Sequence, residues 1–146
     1  MVTGSGKTLS DFQDKWTVLV GKAFNDFSSL PREERVWFTV EALIGDVDGG
    51  GLISHYYNSG ADFNKETIED LNYLGFPDIS NLLLEINQFF PKGIVPLDLE
   101  ERNNIINSWQ GEKCDDVFLD KSDAIFYNRE DELERKLIEH IETHRL

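Results

Sequence analysis

Apolar residues recur at intervals of three and four along most of this chain, and no segment alternates convincingly with a period of two. A period near 3.6 lines one face of a helix, whereas a half-buried strand needs strict alternation. The clearest case closes the chain: Leu133, Leu137, Ile138 and Ile141 share one face, and charges occupy the others. That pattern predicts an amphipathic helix held by its apolar stripe. Similar stripes run through Phe12, Trp16, Leu19, Ala23 and Phe27, and through Val36, Val40, Leu43 and Ile44. Others comprise Ile68, Leu71 and Leu74, then Ile79, Leu82, Leu83, Ile86 and Phe89, then Arg102, Ile105, Ile106 and Trp109. The expectation is an all-α fold, a compact single-domain bundle of about seven or eight short helices. It spans residues 8–146, with residues 1–7 a flexible tail.

Start and stop residues divide the stripes. Thr8 or Ser10 is placed to cap the first helix, and Pro31 sits where the first turn of the second begins. Gly45 is expected to end that second helix, leaving a glycine-rich loop from Asp46 to Gly51. Asn64, Asp78 and Asp98 are expected caps of the later helices, and Gly75 and Pro91 are expected stops. The segment Val117 to Tyr127 is compatible with a short helix or with extended chain.

Ten Phe, three Trp and an apolar share of 40% exclude intrinsic disorder. Cys114 is the single cysteine, so neither an intrachain disulfide nor a multi-thiolate zinc site can form. No apolar run approaches the roughly 20 residues of a membrane span. The early run Val18-Leu19-Val20 is too short for a leader. These features predict a cytoplasmic protein with no membrane contact.

Against that background the charge stands out: 28 carboxylates face 14 Lys and Arg, a formal net charge of −14. Such a field repels nucleic acid and membrane surfaces and attracts basic protein surfaces. At one charge per roughly 1.7 Å of duplex axis, this net charge equals about 24 Å of DNA. Most of the excess lies beyond residue 60. Candidate partner-binding carboxylates are Asp98, Glu100 and Glu101, then Asp115, Asp116, Asp120 and Asp123, then Glu130, Asp131, Glu132 and Glu134. The competing reading is a solvated face that serves solubility, partly neutralised by Arg129, Arg135 and Lys136.

Three local patterns invite specific chemistry and fall short of it. Gly4-Ser5-Gly6-Lys7-Thr8 resembles the end of a phosphate loop, but the first glycine position is Met1 and no strand precedes it. Asp46-Val47-Asp48-Gly49-Gly50-Gly51 resembles the start of a calcium loop, yet its fifth position is Gly50 and its twelfth is Tyr57. His140 and His144 lie one turn apart without the further ligands zinc requires. No catalytic, cofactor or metal residues are therefore assigned. An enzymatic alternative would draw on Glu41, His55 and Tyr56, and requires that they converge on a cavity.

A run of motifs resembles a bacterial family named after a DNA-mimic protein, whose shared C-terminal domain is otherwise of unknown function. The motifs are Glu41, the Gly50-Gly51 turn, His55-Tyr56-Tyr57, Asn58 and Gly60. They continue through Leu74-Gly75, Phe89-Phe90-Pro91, Arg102, Val117-Phe118-Leu119-Asp120 and the helix from Leu133 to His144. The match covers about residues 30 to 146 in an ordered series of motifs. Gly49 extends the turn to three glycines, and Asp48 stands where a polar amide is commoner.

The resemblance implies an all-α fold and an acidic dimer that presents a DNA-like surface to a repressor-type transcription factor. Glu41, Gly50, Gly51, Tyr56, Tyr57, Asn58 and Gly60 are expected to define the fold. The expected function is that of a non-enzymatic acidic binding protein whose partner is a basic, DNA-binding protein surface, without direct nucleic-acid binding. The alternatives are an immunity or antitoxin-like protein that neutralises a basic toxin, or a helical domain acidic only for solubility.

Overall fold

The computed structural model describes residues 6–109 and 113–146. Most of the expected tail, residues 1–5, and with it the start of the phosphate-loop pattern, lies outside the described residues. Lys7 is tied to the body by an ion pair with Glu142 at 3.2 Å.

Seven α-helices follow one another: α1 Gln13–Asp26, α2 Arg32–Gly50, α3 Leu52–Tyr57, α4 Asn64–Leu74, α5 Pro77–Asn87, α6 Leu99–Asn107 and α7 Asp116–Thr143. Short 3₁₀ turns at Leu9–Phe12, Phe27–Ser29, Ser59–Phe63 and Pro91–Gly93 join some of them. Among the described residues there is no strand, so the fold is all-α and forms one compact domain.

Helix α2 is the centre of the bundle. Its buried residues Val36, Val40, Leu43, Ile44 and Val47 meet α1, α3, α4 and α7. Helix α7 runs antiparallel to it, as two cross-links show. His140 Nε2 lies 2.9 Å from the Glu33 carbonyl near the start of α2, and the Tyr127 hydroxyl donates to the Val47 carbonyl near its end. The predicted stripe Leu133, Leu137, Ile138 and Ile141 is buried along this contact. Each such side chain removed from water contributes roughly 1.5–3 kcal/mol.

The structure differs from the sequence reading in four places. Helix α2 passes through Gly45 and ends at Gly50, so Asp46 to Gly50 is helical, with no loop there. A mid-helix glycine costs only about 1 kcal/mol, and the full burial of Val47 two residues beyond outweighs it. The chain turns at Gly51, whose φ of +85° no side-chain-bearing residue adopts cheaply. Val117 to Tyr127 is helical and continuous with the terminal segment, which makes α7 a helix of 28 residues, not a short one. Its β-branched and aromatic residues favour helix weakly, but Phe126 is fully buried and Phe118 packs edge-on against Phe89. Asn64 lies inside α4 with its amide turned into the core, and Pro77, not a capping Asp78, opens α5. Asp98 does cap α6, accepting the Glu101 N–H at 3.0 Å.

Candidate functional site

The motif segment builds a polar seam through the apolar core. The Tyr56 hydroxyl lies 2.7 Å from Asn87 Oδ1, Asn87 Nδ2 donates to Asn64 Oδ1, and Asn64 Nδ2 lies 3.2 Å from His55 Nε2. Because the Asn64 oxygen is already an acceptor, its amide must donate to His55, which leaves the proton of the neutral imidazole on Nδ1. Burial, then the Arg102 charge, drives the His55 pKa down to about 3. His55 Nδ1 has no partner among the described residues.

Arg102 closes the seam. Its guanidinium is fully buried and donates to the carbonyls of Tyr56, Pro96 and Asn58 at 2.7, 2.7 and 2.8 Å. It also reaches Asp62 Oδ1 at 3.2 Å. Thus α6, the 58–63 turn and the 94–98 segment are held by one side chain. Tyr57 adds a hydroxyl bond to Asn107 at 2.8 Å.

Glu41, His55 and Tyr56 do not converge. Glu41 accepts the Trp37 indole N–H at 2.8 Å, while His55 and Tyr56 turn inward to Asn64 and Asn87. His140 and His144 lie with ring centres 4.6 Å apart and their planes tilted by 56°, but His140 is spent on the Glu33 carbonyl. Among the described residues no group of three or more His, Cys, Asp or Glu could hold a metal ion. No helix there is long and apolar enough to cross a membrane.

The candidate carboxylates divide between two elements. Asp98, Glu100 and Glu101 surround the start of α6, which packs on α3. The others lie on α7 and its cap, Asp115, which accepts the Phe118 N–H at 2.9 Å. Asp116, Asp120, Asp123, Glu130 and Glu134 stand at helical spacings of four, seven, fourteen and eighteen from the first, so they share one face. At 1.5 Å per residue the row extends about 27 Å. Asp116, Asp120 and the flanking Asp131 are exposed. Among the described residues none of the row makes an ion pair, whereas Glu132 is taken by Arg129 and Arg135.

One member of the row has a structural task. Asp123 Oδ1 accepts the Leu52 N–H at 2.9 Å, and its Oδ2 stands 2.5 Å from where a Cβ on Gly51 would be. The Gly51 turn is therefore glycine by conformation and by space, and Asp123 seals it.

Helix α2 brings its own carboxylates to this row. Glu130 is pushed up to about 7 by burial, by a hydrogen bond with Asp48 and by the Asp48, Glu134 and Asp131 charges. Glu41 is raised by burial and, more weakly, by Glu134, against the pull of its Trp37 bond. Asp46, on another side of α2, is raised to about 6 by burial despite the Asn58 amide at 3.1 Å. The sequence reading missed Asp48 and Asp46 because it ended α2 at Gly45. The signal was present: Glu34, Glu41 and Asp48 fall seven apart, the spacing of one helix face.

No curated protein and no solved structure matches the chain. The family model for DMP19-like protein matches residues 28–144, from the turn after α1 through the end of α7. The chain is a member of the DMP19-like protein family.

Proposed function

We propose that the protein acts in the cytoplasm as an acidic binding protein, occupying the DNA-binding surface of a basic protein with carboxylates in place of phosphates. The observation that carries this reading is the row on α7: exposed Asp116 and Asp120, with flanking Asp131, beside half-buried Glu130 and Glu134, none of them in an ion pair among the described residues. Membership of a family named for DNA mimic protein 19 supports the same direction. Carboxylates one turn apart lie about 6 Å apart along the axis, against roughly 3.4 Å per phosphate on one DNA strand. The row is sparser than a duplex, so Asp48 of α2, beside Glu130, serves to thicken it. The homodimer implied by the sequence resemblance would thicken it further, and sedimentation equilibrium measures that state.

The partner is to be captured from bacterial lysate at low salt, identified, and tested for release of its own DNA by increasing amounts of this protein. Displacement is expected, with the triple variant Asp116→Asn/Asp120→Asn/Asp131→Asn weaker by about tenfold or more, a modest share per charge. Complexes that resist strong salt unchanged, or that keep their DNA bound, refute the proposal. In that case the acidity serves solubility or a different basic partner.

A further inference from the structure

A cleft of about 520 Å³ opens between α1, α2 and the 59–63 turn. That volume falls within the roughly 300–1,000 Å³ of small-molecule sites. Its apolar wall includes Trp16, Phe24, Phe38 and Phe63. Trp16 and Phe38 stack with centroids 5.9 Å apart, and Phe24 at the mouth is 77% exposed, which α1 gains nothing by presenting to water. The polar wall includes Glu41, Asp46 and Asp62, and among the described residues no Lys or Arg lines the cleft.

These carboxylates are not equivalent. Asp62 is matched by the buried Arg102. Among the described residues Glu41 and Asp46 have only neutral donors, the Trp37 indole and the Asn58 amide, and both are partly desolvated. Beside Asp46, Gly60 keeps the wall open: a Cβ there would stand 2.8 Å from Asp46 Oδ2 and 3.5 Å from His55 Nδ1. Half-buried anions with no ion pair among the described residues, set beside the exposed Phe24 ring, have the chemistry that recognises an organic cation.

We propose that this cleft receives an arginine side chain of the basic partner, its guanidinium paired with Glu41 and Asp46 and its plane laid on the aromatic wall. Arginine suits the site better than lysine because a planar fork pairs with carboxylates and stacks on rings together, which a compact ammonium does not. The inference rests on the partner being a basic protein, as proposed above, and adds a contact that DNA itself could not make. The α7 row would supply long-range attraction, and the cleft would choose among basic partners.

The test needs no partner. The intact protein is titrated with the blocked tripeptide Gly-Arg-Gly, its lysine counterpart and its neutral citrulline counterpart, at constant ionic strength, and amide and indole NMR shifts are followed. Saturable shifts at Gly45, Asp46, Gly60 and the Trp16 indole are expected for the arginine peptide, with the citrulline peptide weaker by about tenfold. Phe24→Ala and Asp46→Asn are each expected to weaken the arginine peptide severalfold. Phe24 is exposed enough that the first variant keeps its fold, which circular dichroism checks. Equal shifts with citrulline, or arginine shifts confined to α7, would overturn the inference. A silent cleft together with DNA displacement by the whole protein would overturn this inference alone. A responsive cleft without displacement would leave it standing and remove the DNA-mimic reading.

Discussion

Replacing Arg102 by methionine should cost this fold about 3–5 kcal/mol, the range for removing one partner of a buried, charge-assisted network. Methionine fills a similar volume but donates nothing, so the carbonyls of Tyr56, Pro96 and Asn58 lose the donors they have at 2.7, 2.7 and 2.8 Å. A buried acceptor left unpaired costs roughly 1–3 kcal/mol. Asp62 suffers less, because its side chain is 39% exposed and water can replace the lost bond. Removing the guanidinium also relieves its own desolvation, which holds the total below the sum of its parts. Against a typical stability of 5–15 kcal/mol, the loss lowers the melting temperature by roughly 10–15 °C. Urea unfolding followed by far-ultraviolet circular dichroism measures it, with Arg102→Lys expected between wild type and methionine. A loss under about 1 kcal/mol would mean that the three carbonyls find water easily. The seam would then not hold α6 to the 58–63 turn, and the reasoning would be wrong.

Asp123→Ala should cost about 1–2 kcal/mol by orphaning the Leu52 N–H, whereas exposed Asp120→Ala should stay within about 0.5 kcal/mol. Parallel urea curves distinguish the two, and equal effects would remove the structural role given to Asp123. Gly51→Ala should destabilise by about 3 kcal/mol, combining a positive φ with displacement of the Asp123 carboxylate, and thermal unfolding measures it. Glu130, raised in the fold from 4.5 to about 7, favours the folded state below about pH 4.5, and that contribution disappears as pH rises through about 7. Glu130→Gln should therefore stabilise at pH 8 and not at pH 4. The gain is about 0.5–1 kcal/mol, since the site is largely screened by solvent. A variant curve parallel to wild type from pH 4 to 8 would refute the raised titration of Glu130, caused first by burial and then by Asp48.

Much of the fold was legible in the chain because burial follows helical period. Leu133, Leu137, Ile138 and Ile141 are all buried as their spacing requires, and Val36, Val40, Leu43 and Ile44 likewise. Asp98 and Gly75 end or begin helices as local chemistry dictates, since capping and positive φ need only a few neighbouring residues. Gly45 and the segment from Val117 to Tyr127 were not legible. There local propensity is weak, and the deciding terms are the burial of Val47 and Phe126 against residues far away in sequence.

For the candidate site the division runs along the same line. The sequence alone determines an all-helical, strongly acidic chain and places its carboxylate excess late. Helical spacing alone assembles Asp116, Asp120 and Glu134 into one row. Only the tertiary structure separates Asp123, spent on the Gly51 turn, from neighbours that face solvent. It alone sets Asp48 against Glu130 and opens an aromatic cleft beside Glu41 and Asp46. Periodicity is a property of one helix, whereas counter-ions, desolvation and clefts arise between helices, where packing brings distant residues within a few ångströms.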